Sequence, residues 1–240
     1  MKIASIVPVK NIEHTFDNSY AMMLTHLKDY YPQTAIQQRN NCYRIMDNSL
    51  IELGGAVDID QVYEAAKQCQ AHEIILPDVF RDATKTRQSV YDALDKLSKK
   101  GRLYDFRLMA VCQGSTVEEF VNCFKSLCCF PEIHTIGIPK VAETLLPAGR
   151  PGFEYLWQNC PKEIHLLGCW TSLNEMRQYK NPAAIRSCDT CIPALLTVNE
   201  KFDTWGNRPA KTIDLLQDDI SYHYDVYWHH LDVLEAVGMI

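Results

Sequence analysis

The chain reads as an α/β protein, a (β/α)₈ TIM-like barrel with a C-terminal helical extension, and three observations predict it. Short runs rich in Ile and Val alternate with stretches whose apolar residues recur at spacings of three and four, the pattern of doubly covered strands between amphipathic helices. Up to eight such runs fit into 240 residues, slightly under the ~250 residues usual for a (β/α)₈ barrel. Three of the runs end in aspartate: Asp47 after Ile45-Met46, Asp78 after Ile74-Ile75-Leu76-Pro77, and Asp189 after Ile185-Arg186-Ser187-Cys188. A strand that points into a core and ends in a carboxylate puts charge at the rim of a sheet or barrel, where barrel folds carry their chemistry. A doubly wound open sheet is the alternative architecture. No Gly-x-Gly-x-x-Gly follows the first run, which argues against a dinucleotide fold.

Taken in order, the predicted strands are Ile3–Val9, a weaker Tyr20–Thr25, Tyr43–Asp47, Glu73–Asp78, Arg107–Cys112, His134–Ile138, Glu163–Gly168 and Ile185–Asp189. The helical spacing predicts Asp60–Gln70, Thr84–Lys99, Thr116–Cys128, Gly152–Asn159 and Ser172–Gln178. Thr116-Val117-Glu118-Glu119 has the form of a helix start, with Thr116 or Ser115 as cap. Gly101 and Pro161 stand just beyond helical stretches, where stops belong. After Asp189 the alternation ends. Thr212–Gly238 reads as one or two terminal helices, with Tyr222, Tyr224, Tyr227, Trp228, Leu231 and Leu234 as a core-facing stripe. Residues 1–240 are thus expected to form one barrel domain, with 212–240 packed on it as terminal helices.

Hydrophobic residues make up 47% and charged residues 22% of the chain, ordinary for a globular domain. No apolar run reaches 18 residues, so no transmembrane helix is expected. Met1–Pro8 is too short and too soon interrupted for a signal peptide. Ten cysteines without a regular framework read as reduced thiols in a cytoplasm. A net charge of −6 argues against a broad nucleic-acid-coating surface but leaves room for a local basic groove, with Arg150, Lys201, Arg208 and Lys211 as candidates.

The expected C-terminal strand ends bring together Asp47-Asn48-Ser49, Asp78, Gln113-Gly114, Gly137-Ile138, Leu167-Gly168 and Asp189. Three carboxylates, an amide and several glycines that allow close backbone approach would suit a planar heterocycle with donors and acceptors on its edge. Ile51 and Leu167 could flank such a ring. Carboxylates gathered in one pocket repel, so at least one should hold its proton more tightly than usual.

The ordered series Asp47-Asn48-Ser49, Leu76-Pro77-Asp78, Val111-Cys112-Gln113-Gly114, Ile136-Gly137-Ile138, His165-Leu166-Leu167-Gly168 and Asp189 resembles the tRNA-guanine transglycosylase superfamily, closest to its short phage-encoded members that act on guanine in DNA. The resemblance spans about Ile3 to Pro193. It implies exchange of guanine for a 7-deazaguanine, such as 7-cyano-7-deazaguanine, through a covalent aspartyl-sugar intermediate, on a flipped-out or single-stranded base. Asp189 would be the nucleophile and Asp47 the general acid/base. Asp78 and Gln113 would read the base, with Asn48, Ser49, Gly114, Gly137, Ile138 and the Leu167-Gly168 backbone completing the pocket and Ile51 and Leu167 against the ring. The implied partners are DNA and a free 7-deazaguanine base, with an accessory protein as an option, no membrane, and the cytoplasm of a phage host as the setting. No metal or redox cofactor is required.

The chain departs from that family in three places. The Cys-x-Cys-x-x-Cys plus His zinc site of the tRNA-acting members is missing. Cys188 and Cys191 have no second pair at ligand spacing, and the adjacent His229 and His230 should point apart on a helix. This favours DNA over tRNA. Thr190–Leu195 is apolar where an arginine-bearing run is usual, so Arg208 or Lys211 would have to grip the polymer. Ile138-Pro139 stands where a glycine is usual. The competing expectations are exchange in tRNA, a catalytically silent nucleic-acid- or nucleobase-binding subunit of a modification complex, and hydrolysis of a free nucleoside.

Overall fold

In the computed structural model of the chain, which describes residues 1–16, 19–38, 41–158, 160–169, 173–200 and 212–238, parallel strands close into an eight-stranded barrel in chain order. They are β1 (Lys2–Ser5), β2 (Tyr20–Leu24), β3 (Tyr43–Asp47), β4 (Glu73–Ile75), β5 (Arg107–Val111), β6 (Thr135–Ile138), β7 (Glu163–Leu166) and β8 (Ser187–Thr190). Closure comes from β8 pairing with β1, with Asp189 opposite Ala4 and Thr190 opposite Ser5. The (β/α)₈ expectation therefore holds, and the open sheet is excluded.

Side chains alternate across each strand, and the two faces bury separately. Ala4, Met22, Ile45, Ile75, Met109 and Val111 fill the barrel interior, with Leu167 packed above them. The other face supplies the larger core between barrel and helices, including Ile3, Met23, Met46, Ile74, Leu108, Ile136 and Cys188. This alternation sends Asp47, Gly137, His165 and Asp189 toward the interior, two residues on from inward-facing neighbours.

Full helices follow only some strands. They are α1 (Ile59–Gln68), α2 (Ala83–Lys99), α3 (Val117–Cys128), α4 (Ile192–Val198) and the terminal α5 (Tyr224–Gly238). Each of the first three is capped by an aspartate or threonine that accepts a backbone N–H: Asp58 from Asp60, Asp82 from Lys85 and Thr116 from Glu119.

Several predicted bounds are corrected. The first strand stops at Ser5 rather than Val9, since Pro8 has no N–H and a 3₁₀ turn begins at Val9. The fourth stops at Ile75 rather than Asp78. Pro77 cannot donate there, and the Leu76 carbonyl is taken by the Asn48 side chain. The last runs Ser187–Thr190, after a Pro182–Ala184 turn. The helix expected at Gly152–Asn159 is a 3₁₀ segment, Arg150–Leu156, started by Pro151. Among the described residues of the expected Ser172–Gln178 helix, Leu173–Met176 is helical and a turn follows.

The apolar Thr190–Leu195 run, read as a missing grip on nucleic acid, begins a buried helix, α4, against which α5 packs. In the terminal stripe Tyr227, Leu231 and Leu234 are buried, whereas Tyr222 lies ahead of α5 and is 85% exposed. His229 is exposed and His230 buried, so they do point apart. Among the described residues no helix is long and apolar enough to cross a membrane.

Candidate active site

The three aspartates converge on the C-terminal mouth of the barrel but are dressed differently. Asp189 is 5% exposed. Both of its carboxylate oxygens lie 3.1 Å from the Gly168 N–H. That N–H is aimed by a left-handed backbone, φ +65° at Gly168, which glycine adopts without strain. The buried His165 ring bridges Asp189 to Ser187, with Nε2 3.1 Å from Asp189 Oδ1 and Nδ1 2.7 Å from Ser187 Oγ. Arg186 Nε donates to Ser187 Oγ at 3.1 Å. In the tautomer that directs Nε2–H at the Asp189 carboxylate, Nδ1 accepts from the Ser187 hydroxyl, whose oxygen still accepts the Arg186 N–H.

Asp47, half-buried at the end of β3, accepts the Ser49 N–H on Oδ2 at 2.7 Å. Burial pushes its pKa well above the ordinary carboxylate value, and the charges of Glu52, Asp189 and Asp78 push the same way. It therefore carries a proton where an ordinary aspartate would not.

Asp78 is buried and accepts Asn48 Nδ2 and Gln113 Nε2, each at 2.7 Å. Burial raises its pKa to about 6 against the lowering effect of those two bonds. Both Asn48 N–H groups are used, the second on Leu76 O, while Oδ1 accepts the Leu50 N–H. Gln113 Oε1 accepts the Arg81 N–H, so among the described residues one N–H of its amide remains beyond its bond to Asp78. Asn48, Asp78 and Gln113 form one buried amide–carboxylate cluster linking the ends of three strands.

The remaining predicted residues separate by what they touch. Ser49 is buried in a left-handed conformation, φ 58°, with Oγ against His26. It shapes the turn that holds Asp47. A Cβ on Gly114 would stand 2.6 Å from the Phe120 backbone N, so that glycine serves the seating of α3. A Cβ on Gly137 would meet Leu167 Cδ1 at 2.7 Å, which makes this glycine the room Leu167 needs inside the barrel. Ile138 faces the outer core, and only its carbonyl reaches the mouth, accepting the Leu167 N–H and Arg150 Nη1. Ile51 stands 71% exposed.

Arg150 is corrected. It is not groove surface but fully buried, bonded to Glu175 and to the Ile138 and Leu167 carbonyls, so it braces the ends of β6 and β7. Lys201, Arg208 and Lys211 lie outside the described residues. Sequence reasoning assigned no role to His165 or Ser187. The alternation along β7 is enough to turn His165 inward, two residues before Leu167 just beyond the strand, but its partner Ser187 comes from β8.

Fold and site together define a (β/α)₈ barrel with carboxylates at its C-terminal mouth. Among solved structures the chain is similar to dihydrodipicolinate synthase from Agrobacterium tumefaciens, with a TM-score of 0.50 and 12% identity over 99% of this chain and 79% of that one. At that identity the likeness carries the barrel fold. No family model matches the chain, and no curated protein matches it. The functional expectation drawn from the family resemblance is corrected accordingly. The barrel neighbour is a synthase rather than a glycosyltransferase, so guanine exchange in DNA or tRNA and a silent subunit of a modification complex are set aside.

Proposed function

We propose that the chain is a barrel enzyme that cleaves the bond between a flat nitrogen heterocycle and a sugar, a free nucleoside being the substrate class, with water as acceptor. The contrast between Asp47 and Asp189 carries this reading. Two carboxyl groups share one mouth, one holding its proton and the other wrapped in donors, and such pairs divide into acid and anion.

Asp47 donates its proton to the leaving ring nitrogen as the C–N bond breaks and its electron pair passes to the base. Asp189 faces the positive charge that develops on the sugar, held by Gly168 and His165. Water then bonds to the anomeric carbon and returns a proton to Asp47. Asp78 accepts from a donor on the edge of the base, and the remaining N–H of Gln113 donates to an acceptor there. Leu167 offers an apolar surface to its face.

The test is release of free base from purine and pyrimidine ribo- and deoxyribonucleosides, followed by chromatography. The wild-type chain should release base from at least one of them. Asp47→Asn and Asp189→Asn should each lower that rate at least 100-fold, the scale of lost acid/base or nucleophilic help, with circular dichroism unchanged. A folded wild type that releases no base from any nucleoside overturns the proposal.

A further inference from the structure

Away from the mouth, two cysteines from separate segments meet. Cys128, the last residue of α3, has its Sγ 3.1 Å from the Sγ of Cys160, just ahead of β7. Both are partly exposed. The Lys162 N–H points at Cys160 Sγ at 3.5 Å, and the Lys162 ammonium is tied to the Phe130 carbonyl beside the pair.

We propose that Cys128 and Cys160 form a reversible thiol–disulfide site, with Cys160 as the attacking sulfur and a low-molecular-weight disulfide as its oxidant. Reaching a disulfide from 3.1 Å takes about 1 Å of closing motion, small for two part-exposed side chains at the end of a helix and in a loop. Cys160 thiolate attacks one sulfur of the small disulfide and expels the other half as thiolate. Cys128 then loses its proton, attacks Cys160, and releases the second half. Two protein thiols become one disulfide, and the oxidant leaves as two thiols. The groups acting on the pair are Lys162 and the neighbouring Cys129. The hydrogen bond from Cys128, the Lys162 N–H and the Lys162 charge hold the Cys160 thiol below its ordinary value, which raises its thiolate fraction near neutral pH.

The test treats the full chain with oxidised glutathione and maps its peptides without reduction. A Cys128–Cys160 cross-link is expected, reversed by dithiothreitol, with free thiols falling from ten by the two that are joined. Cys128→Ala should leave Cys160 trapped as its glutathione adduct. The pH midpoint of Cys160 alkylation should also rise in that variant, because the donor to its thiolate is gone. Cys160→Ser should abolish the cross-link. Glutathione adducts on Cys129 with no Cys128–Cys160 peptide overturn the proposal, as does an alkylation midpoint that ignores Cys128→Ala.

Discussion

At the scale of single residues, Asp78 shows what the site costs. A carboxyl whose folded pKa lies at about 6, above its unfolded value near 3.9, binds its proton more tightly in the folded state. The stability it contributes is therefore present below pH 4, lost as pH rises from about 4 to 6, and absent above. Two units correspond to about 3 kcal/mol. Asp78→Asn removes this dependence. It also sets an amide against one of two donors, Asn48 Nδ2 or Gln113 Nε2. Urea unfolding at pH 4 and pH 7 should show the wild type losing about 3 kcal/mol relative to Asp78→Asn between those values, while Asp78→Asn is the less stable of the two at pH 4. An unchanged difference would mean that Asp78 ionises like an exposed aspartate.

The identities of the three aspartates were legible because each ends an apolar run. Their dressing was not, since it depends on partners from other strands: Gln113 is 35 positions from Asp78, and Gly168 is 21 from Asp189. The same reason hid His165, whose role is fixed by Ser187 across a strand pair.

At the scale of elements, local signals read well where one segment decides its own structure. The Thr116–Glu119 start of α3 is such a case. Thr116 Oγ1 accepts the Glu119 N–H, and the Glu119 carboxylate reaches back to the Ser115 N–H. Segments decided by packing were misread. The apolar stretch after Asp189 looked like a lost binding run and is instead a helix that buries Ile192, Leu195 and Leu196.

Gly114 joins the two kinds of information, as its lack of a side chain lets the start of α3 lie on the loop that carries Gln113. Gly114→Ala would force a Cβ to 2.6 Å from the Phe120 N. It should destabilise the protein by about 2–3 kcal/mol and displace Gln113 from Asp78. Thr116→Ala, which removes only the cap, should cost about 1 kcal/mol and leave ligand binding at the mouth unchanged. Paired melts and titrations of the two variants check this, and equal losses of binding would remove the distinction.

At the scale of the whole molecule, the barrel separates chemistry at one end from cohesion at the other. The end opposite the aspartates is closed by a polar layer instead of an apolar one. Arg186 donates to Glu73 at 2.8 Å, to Glu163 at 2.8 Å and to Thr135 at 3.0 Å, while Thr135 donates to Glu73 and Arg107 to Glu163. One guanidinium thus ties together β4, β6 and β7 from the start of β8, and Glu73 sits fully buried beneath it.

Removing Arg186 strands that carboxylate, whereas removing both partners does not. Arg186→Met should therefore cost about 3–5 kcal/mol, and Arg186→Met combined with Glu73→Gln should recover most of it. Arg186 reaches the mouth only through Ser187 and His165, so ligand affinity at the mouth should change far less than stability does. Chemical denaturation of the single and double variants, beside ligand titration of each, reads both quantities. If the double variant is no more stable than Arg186→Met, the buried charge is not what the arginine offsets. If affinity falls in step with stability, the two ends of the barrel are coupled through the Arg186–Ser187–His165–Asp189 chain.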